Sequence, residues 1–323
     1  MADDNFFDGD IFVYRGGRAP QHVTHARIDK SADEIEENAF RNCHSLVQVD
    51  THDGIRRVGN WAFSRCNSLR QINLKSAVEI GYEAFYKCEN LESVEFGDRL
   101  ETIGIAAFNS CSSLKHLKLP SIITIGKLSF GRCTAIDYVE LSERIETIEV
   151  RAFIGCGHLQ RIAIPLKRDL FSLDDDVFGG YNQFYDCEQL TTVHLVGGVH
   201  KTIASLHMES WRTEMITEIN RINQVLPNTS RREKTEEIRQ WIYSVIDKMD
   251  YYKAEHCGYV REGITLLELA LWKAKLGEKE DTCEAGGRIR QAKADAESAR
   301  KDKRMICGAD MVINNVLPFL QLE

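Results

Sequence analysis

The sequence has no excess of basic charge. Its 41 Lys and Arg stand against 49 Asp and Glu, a formal net charge of −8. Residues 1–200 hold 29 acids and 21 bases, and residues 201–323 hold 20 of each. A balance of that sign argues against nucleic acid as a partner, because phosphate binding needs clustered cations. No stretch reaches 18 uninterrupted apolar residues, which predicts no membrane span and no membrane partner. The acidic start "MADDNFFDGDIFVYRGG" lacks the basic-then-apolar pattern of a secretion signal. The expected location is therefore cytoplasmic, with the nucleus also accessible. No G-x-G-x-x-G, P-loop, H-E-x-x-H or G-x-S-x-G occurs, so no catalytic residue is assigned and the chain is not expected to be an enzyme. Ten cysteines include no C-x-x-C pair, so no metal site and no cofactor is expected. Asp174, Asp175 and Asp176 lack the spacing of a calcium loop and read as a solvated acidic loop.

What is present is a repeat. "AFRNCHSL" at 39–46 returns as "AFSRCNSL" at 62–69, "AFYKCENL" at 84–91, "AFNSCSSL" at 107–114, "SFGRCTAI" at 129–136 and "AFIGCGHL" at 152–159. Cys43, Cys66, Cys88, Cys111, Cys133, Cys156 and Cys187 mark it in steps of 23, 22, 23, 22, 23 and 31. Each unit reads I-x-x-x-A-F-x-x-C-x-x-L-x-x-V-x-L. Its end alternates apolar with polar, as in Leu114, Leu117 and Leu119, which predicts a short strand with one buried face. The "IGYEAF" part suits a helical turn that lays one aromatic inward. Units of 22–23 residues cannot bury their own apolar faces, so neighbours must stack. The fold class expected is an α/β solenoid over 20–200, with a parallel β-sheet on one face. A short N-terminal segment, 1–19, precedes it. Phe40, Phe63, Phe85, Phe108, Phe130 and Phe153 form the expected aromatic spine, each preceded by Ala or, once, by Ser129.

With metal binding set aside, the cysteine column has three explanations to weigh. Adjacent strands about 4.8 Å apart would allow disulfides on distance. However, seven is an odd number, equivalent side chains stack side by side, and no secretion signal points to an oxidising compartment. A nucleophile would be one special cysteine with a base, not seven equal ones. Packing accounts for all seven, since a free thiol behaves as a small hydrophobe with a weak S–H donor.

The motif "IGxxAFxxCxxLxxVxL" resembles the leucine-rich repeat pattern, and within it the cysteine-bearing BspA-like class, over roughly residues 20–197. Together with "VYRGGRAPQHVTHARIDKS" at 13–31, the phrases "SWRTEMITEINRINQVLPNT", "WIYSVIDKMDYYKAEH", "TLLELALWKAKL" and "VINNVLPFL" look like the BspA-like repeat proteins of diatoms. That resemblance implies repeats followed by a helical tail.

From about residue 203 the period becomes helical. Leu206, Trp211, Met215, Ile219 and Ile222 share one face of a helix over 206–229 ended by Pro227. Ile238, Trp241, Ile242, Val245 and Met249 share a face of a second, over 230–257, with Ser230 and Glu233 as a capping box. Gly258 and Gly263 interrupt the pattern before a third helix at 264–276. Residues 201–276 are thus expected to form a helical domain that caps the solenoid's open end, using Trp211, Trp241 and Trp272. Residues 277–304 read as a charged linker and 305–323 as a last helix.

The sheet positions that point away from the core are polar and of both signs. The candidate partner-binding residues are Arg27, Gln48, Asp50, Gln71, Asn73, Glu95, Lys118, Tyr138, Glu140 and Arg161. A curved solenoid offers such a face for recognition. The expected role is an intracellular scaffold that binds a protein partner there, with self-association through the helical tail as a further possibility. A surface or carbohydrate-binding adhesin would need a secretion signal. An enzyme would need a titratable cluster where the solenoid meets the tail.

Overall fold

A computed structural model describes residues 6–172, 182–206 and 208–280. The contacts divide the chain into two units: 1–204 with 208–250, and 205–207 with 251–323.

The first unit is a parallel β-solenoid closed at each end. One strand per coil lies on one side: β3 (His25–Ile28), β5 (Gln48–Asp50), β7 (Gln71–Leu74), β9 (Ser93–Phe96), β11 (His116–Leu119), β13 (Tyr138–Leu141), β15 (Arg161–Ile164) and β16 (Thr192–Leu195). Their alternating burial follows the sequence pattern, as in the exposed–buried–exposed–buried QINL of β7. A second parallel ladder runs through the two-residue strands β4 (Glu34–Ile35), β6 (Arg57–Val58), β8 (Glu79–Ile80), β10 (Thr102–Ile103), β12 (Thr124–Ile125) and β14 (Thr147–Ile148). The expected helical turn is therefore corrected: "IGYEAF" is a two-residue strand followed by tight turns. Two residues per coil in those turns are left-handed, for example Glu83 (φ 48) and Lys87 (φ 58), or Leu128 (φ 59) and Arg132 (φ 58). That conformation costs an L-residue about 1–2 kcal/mol and prevents helix propagation. Backbone bonds to the next coil hold it, as in Glu83 N–H to Ile105 O at 3.0 Å and Lys87 N–H to Asn109 O at 2.9 Å. Gly81 and Gly104 answer a second demand of these turns. A Cβ on either would meet backbone of the preceding coil within 2.9 Å.

The core is the expected aromatic spine, one residue longer. Rings of Phe40, Phe63, Phe85, Phe108, Phe130, Phe153 and Phe184 stack with centroids 4.9–5.7 Å apart and planes within 15°. All seven are fully buried. Phe184 belongs to the coil with the insertion, which displaced it from the regular spacing. At the N-terminal end the Tyr14 ring lies 5.1 Å from Phe40, and the Tyr14 hydroxyl accepts the Glu36 N–H at 3.1 Å. Tyr14 comes from an antiparallel hairpin of β1 (Phe6–Asp8) and β2 (Ile11–Tyr14), and β2 joins β3 in parallel. The sheet therefore reaches back into the segment that lacks the repeat. Between β9 and β11 the ladder is interrupted, leaving a six-stranded and a four-stranded sheet on that side. The seam coincides with Phe96, which stands where most other coils have Leu or Ile and meets Phe108 edge-on at 5.9 Å.

At the other end, α1 (Val199–Ser205) leads to α2 (Glu209–Val225) and α3 (Lys234–Glu280). Asn223 on α2 completes the edge of β16: its Oδ1 accepts Val193 N–H at 2.8 Å and its Nδ2 donates to Val193 O at 3.3 Å. Thr235 accepts Phe184 N–H at 3.0 Å. The buried Lys234 ammonium donates to the carbonyls of Glu188 and Leu190, and burial holds it below its ordinary pKa. Met215, Ile222, Ile238, Trp241 and Val245 are buried, and Trp241 Nε1 donates to Glu218 O at 3.0 Å. Ser230 Oγ accepts Arg232 N–H at 3.4 Å instead of forming a capping box, because α3 begins only at Lys234.

In the second unit α3 runs on without a break through Gly258 and Gly263, so the expected third helix is corrected to a continuation of the second. A glycine inside a helix costs only about 1 kcal/mol against alanine. Leu266, Leu267, Leu269 and Trp272 are exposed there, and Trp272, expected to help cover the solenoid's open end, is 68% exposed. Asp174–Asp176 and residues 281–323, including the linker beyond 280 and the last helix, lie outside the described residues.

Truncating the spine tests this core. Phe108→Ala is expected to lower unfolding free energy by about 3–5 kcal/mol in denaturant titration. Lys118→Ala, on the exposed face, is expected to stay within about 0.5 kcal/mol. Ser129 offers the opposite sign. Its buried hydroxyl has no hydrogen-bond partner, and other coils place Ala39, Ala62, Ala84, Ala107 or Ala152 there. Ser129→Ala is expected to stabilise by about 1 kcal/mol; a loss of stability would contradict the packing described.

Candidate functional site

The sheet face is built by the two-residue period of the strands. Side chains that alternate with the core residues stand in rows across the coils, because parallel strands in register place like positions side by side. His25, Gln48, Gln71 and Ser93 form one such row, and His116, Tyr138, Arg161 and Thr192 another.

The structure brings the candidate residues together in two groups. Gln48 and Asp50 from β5, Gln71 and Asn73 from β7, and Glu95 from β9 line a cleft of about 280 Å³. Gln48 Nε2 donates to Asp50 Oδ1 at 2.8 Å, and Asn73 Oδ1 accepts Lys75 N–H at 3.0 Å. Lys75 Nζ lies 2.9 Å from Glu95 Oε2. Thr51 and Ser93 also line the cleft. Thr51 was not legible as a candidate, since it follows the last residue of its strand; its hydroxyl donates to Asn73 O at 2.6 Å. Arg27 stands beside this group and pairs with Asp8 of the hairpin at 3.4 Å.

The second group lies on the four-stranded sheet. The Arg161 guanidinium sits over the Tyr138 ring, 5.3 Å from its centroid. Tyr138 Oη donates to Glu140 Oε2 at 3.4 Å, and Lys118 Nζ pairs with Glu140 at 3.3 Å. Burial pushes the Tyr138 phenol above its ordinary value of 10, and the Glu140 carboxylate pushes it further. His116 Nδ1 lies 2.6 Å from Asp137 Oδ1, an acid that pattern reading left out. Both groups offer hydrogen-bonding and charged atoms on a rigid sheet. Pairs this exposed contribute little to stability, so they are available for recognition.

The cysteine column has a more definite role than space filling. Cys66 Sγ donates to Phe40 O at 3.1 Å, Cys88 to Phe63 O at 3.0 Å and Cys111 to Phe85 O at 3.2 Å. Cys133, Cys156 and Cys187 repeat the bond to Phe108, Phe130 and Phe153, each at 3.1 Å. Each of these six thiols thus binds the carbonyl of the spine residue one coil earlier, and Cys43 Sγ donates to Pro20 O at 3.6 Å. All seven are buried and free. Burial pushes Cys43 up to about 11 and Cys88 and Cys133 up to about 12. Thiols held protonated in this way are poor nucleophiles and poor metal ligands. Among the described residues no three metal-ligating side chains converge to hold an ion. No described helix is long and apolar enough to cross a membrane.

Stacked coils with one sheet strand, a tight turn and a buried Phe–Cys ladder define a leucine-rich repeat solenoid. Six copies of the BspA type leucine rich repeat region match the chain, over residues 20–123, 75–191 and 113–229. The chain belongs to this family. No curated protein matches it in sequence. Among solved structures it is similar to the leucine rich repeat protein TpLRR of T. pallidum, with 25% identity, 64% of this chain and 94% of that one covered, and a TM-score of 0.46. It is also similar to a leucine-rich repeat protein from Bacteroides ovatus (23% identity, 55% and 61% covered, TM-score 0.32). The pneumococcal vaccine antigen PcpA is a third (17%, 55% and 52%, TM-score 0.32).

The thiol bonds predict a labelling pattern. In the folded protein at pH 8, iodoacetamide is expected to modify no more than three of the ten cysteines, sparing the seven of the column. The folded pKa values of Cys43, Cys88 and Cys133 lie above the unfolded value near 9, so the stability these three contribute is full below about pH 9 and is lost as pH rises toward 11–12. Labelling of column cysteines in the native state at pH 8 would contradict these bonds.

Proposed function

We propose that this chain is an interaction scaffold that binds a protein partner through the exposed sheet face, in a reducing compartment such as the cytoplasm. The observation that carries the reading is the in-register display of polar side chains by a sheet whose other side is fully committed to the core. Gln48, Asp50, Gln71, Asn73 and Glu95 are gathered in one cleft, and Tyr138 with Arg161 supplies an aromatic–cation anchor of the kind that dominates interface energetics. Seven thiols engaged as hydrogen-bond donors suit a compartment that keeps them reduced. Paired surface charges without a nucleophile–base pair among them suit binding rather than catalysis.

The test compares wild type with a chain carrying Asp50→Arg, Glu95→Arg and Tyr138→Ala in affinity capture from a native extract. The three sites do not belong to the spine, so the melting temperature is expected to shift by no more than about 4 °C. The expected outcome is selective loss of a captured protein from the variant. The same proteins captured by both chains would remove the sheet face as the binding site.

A further inference from the structure

The turn side of the solenoid carries a second cavity, larger than the cleft on the sheet. It encloses about 580 Å³ and is lined from four successive coils. Its depth comes from two small positions. Ala106 occupies the left-handed site that holds Glu83 and Leu128 in neighbouring coils. Gly131 follows Phe130 where other coils place Tyr86, Asn109 and Ile154. A Cβ at Gly131 would meet Asn109 Nδ2 at 2.8 Å and Ile154 Cγ2 at 3.3 Å, so the absent side chain keeps the groove open. Tyr86, Leu128 and Ile154 are half-buried and offer apolar contact. The left-handed turns and their bonds between coils hold this surface rigid, which lowers the ordering cost of binding.

The charge of the groove is distinct from that of the chain. Glu83, the carboxylate of the lining, already accepts Trp61 Nε1–H at 3.1 Å. Arg132 is exposed in the lining, and Lys87 Nζ stands 5.4 Å from the Tyr86 ring centroid. Arg65 occupies the same coil position as Lys87 and Arg132. Among the described residues none of these three cations has a carboxylate partner. Beyond the groove, Trp61 meets Tyr82 edge-on at 5.0 Å and carries the Arg41 guanidinium at 5.4 Å. Tryptophan, tyrosine and arginine are the residues in which interface binding energy concentrates.

We propose that this groove is a second interaction surface, independent of the sheet face, and that it takes an extended acidic segment of a partner polypeptide. Three coil steps of about 4.8 Å span about 14 Å, the length of about four extended residues at 3.3 Å each. An apolar or aromatic side chain of the segment rests on Tyr86, Leu128 and Ile154. Its carboxylates meet Arg132 and Lys87. Nucleic acid is the less suited occupant, because a net charge of −8 repels a long polyanion while a short acidic segment meets only the local cations.

The test is fluorescence polarisation with the full chain and three probes: a decapeptide pool mixing Glu and Asp with Phe, Tyr and Leu, the same pool with Lys and Arg in place of the acids, and a single-stranded oligonucleotide. The acidic pool is expected to bind in preference to the other two and to weaken as salt is raised. Arg132→Glu is expected to weaken it by about tenfold or more, with the melting temperature unchanged. Should Arg132→Glu lower that temperature, Tyr86→Ala gives the same reading from the apolar side. The pair Asp50→Arg, Glu95→Arg is expected to leave this binding unchanged, which separates it from the sheet face. Equal binding of acidic and basic pools, preference for the oligonucleotide, no binding of the acidic pool, or insensitivity to both groove variants would overturn the proposal.

Discussion

The structure depends on the contact that each coil makes with the next at one phenylalanine. The ring stacks on its neighbours, and its carbonyl accepts two bonds. Phe63 O, for example, takes Cys66 N–H within its coil at 3.0 Å and the Cys88 thiol of the following coil at 3.0 Å. Its own N–H donates onward to Ala84 O at 2.7 Å. Ring and backbone therefore lock at the same spacing, close to the distance between parallel strands. The small residue before six of the seven spine Phe residues and the glycine after Val58, Ile80, Ile103 and Ile125 follow from that spacing. So do the left-handed turns, which reverse the chain tightly enough to return it to the sheet in 22 or 23 residues.

Much of this was legible because the constraint is periodic. A fixed Phe–Cys offset repeated six times identified the coil, the buried column and the outward face, and the strand pattern placed Gln48, Asp50, Asn73 and Tyr138 correctly on that face. Departures arose where periodicity was silent. Phe184 was hidden by the insertion before Cys187. Residues 6–14 carry no repeat, yet Tyr14 and Phe12 close the first coil because its exposed Phe40 edge needs a cover. The "IGYEAF" turn resembles a helical start by composition, but stacked left-handed residues prevent one. Gly258 and Gly263 suggested a break, yet two glycines cost too little to stop a helix of 47 residues.

The two faces of the solenoid show how a repeat separates stability from recognition. Core columns are nearly invariant from coil to coil, so outward positions are free to differ. On the sheet side this freedom produces two polar clusters on either side of the seam between β9 and β11. On the turn side it produces the depression at Ala106 and Gly131. Turn-side residues were not legible as candidates, because Trp61, Tyr86 and Arg132 occupy different sequence positions within their units and converge only when coils stack. Asn223, whose side-chain amide imitates a strand at the edge of β16, was likewise invisible before the end of the sheet was located.

A double-mutant cycle measures the central contact most directly. Leu is placed at Phe85 and Phe108, which stack 4.9 Å apart, and separately at Phe63 and Phe130, three coils removed from each other. The adjacent pair is expected to couple by about 0.5–1.5 kcal/mol in unfolding free energy, and the separated pair to add. Additivity in the adjacent pair, or equal coupling in both, would contradict a solenoid held together ring by ring.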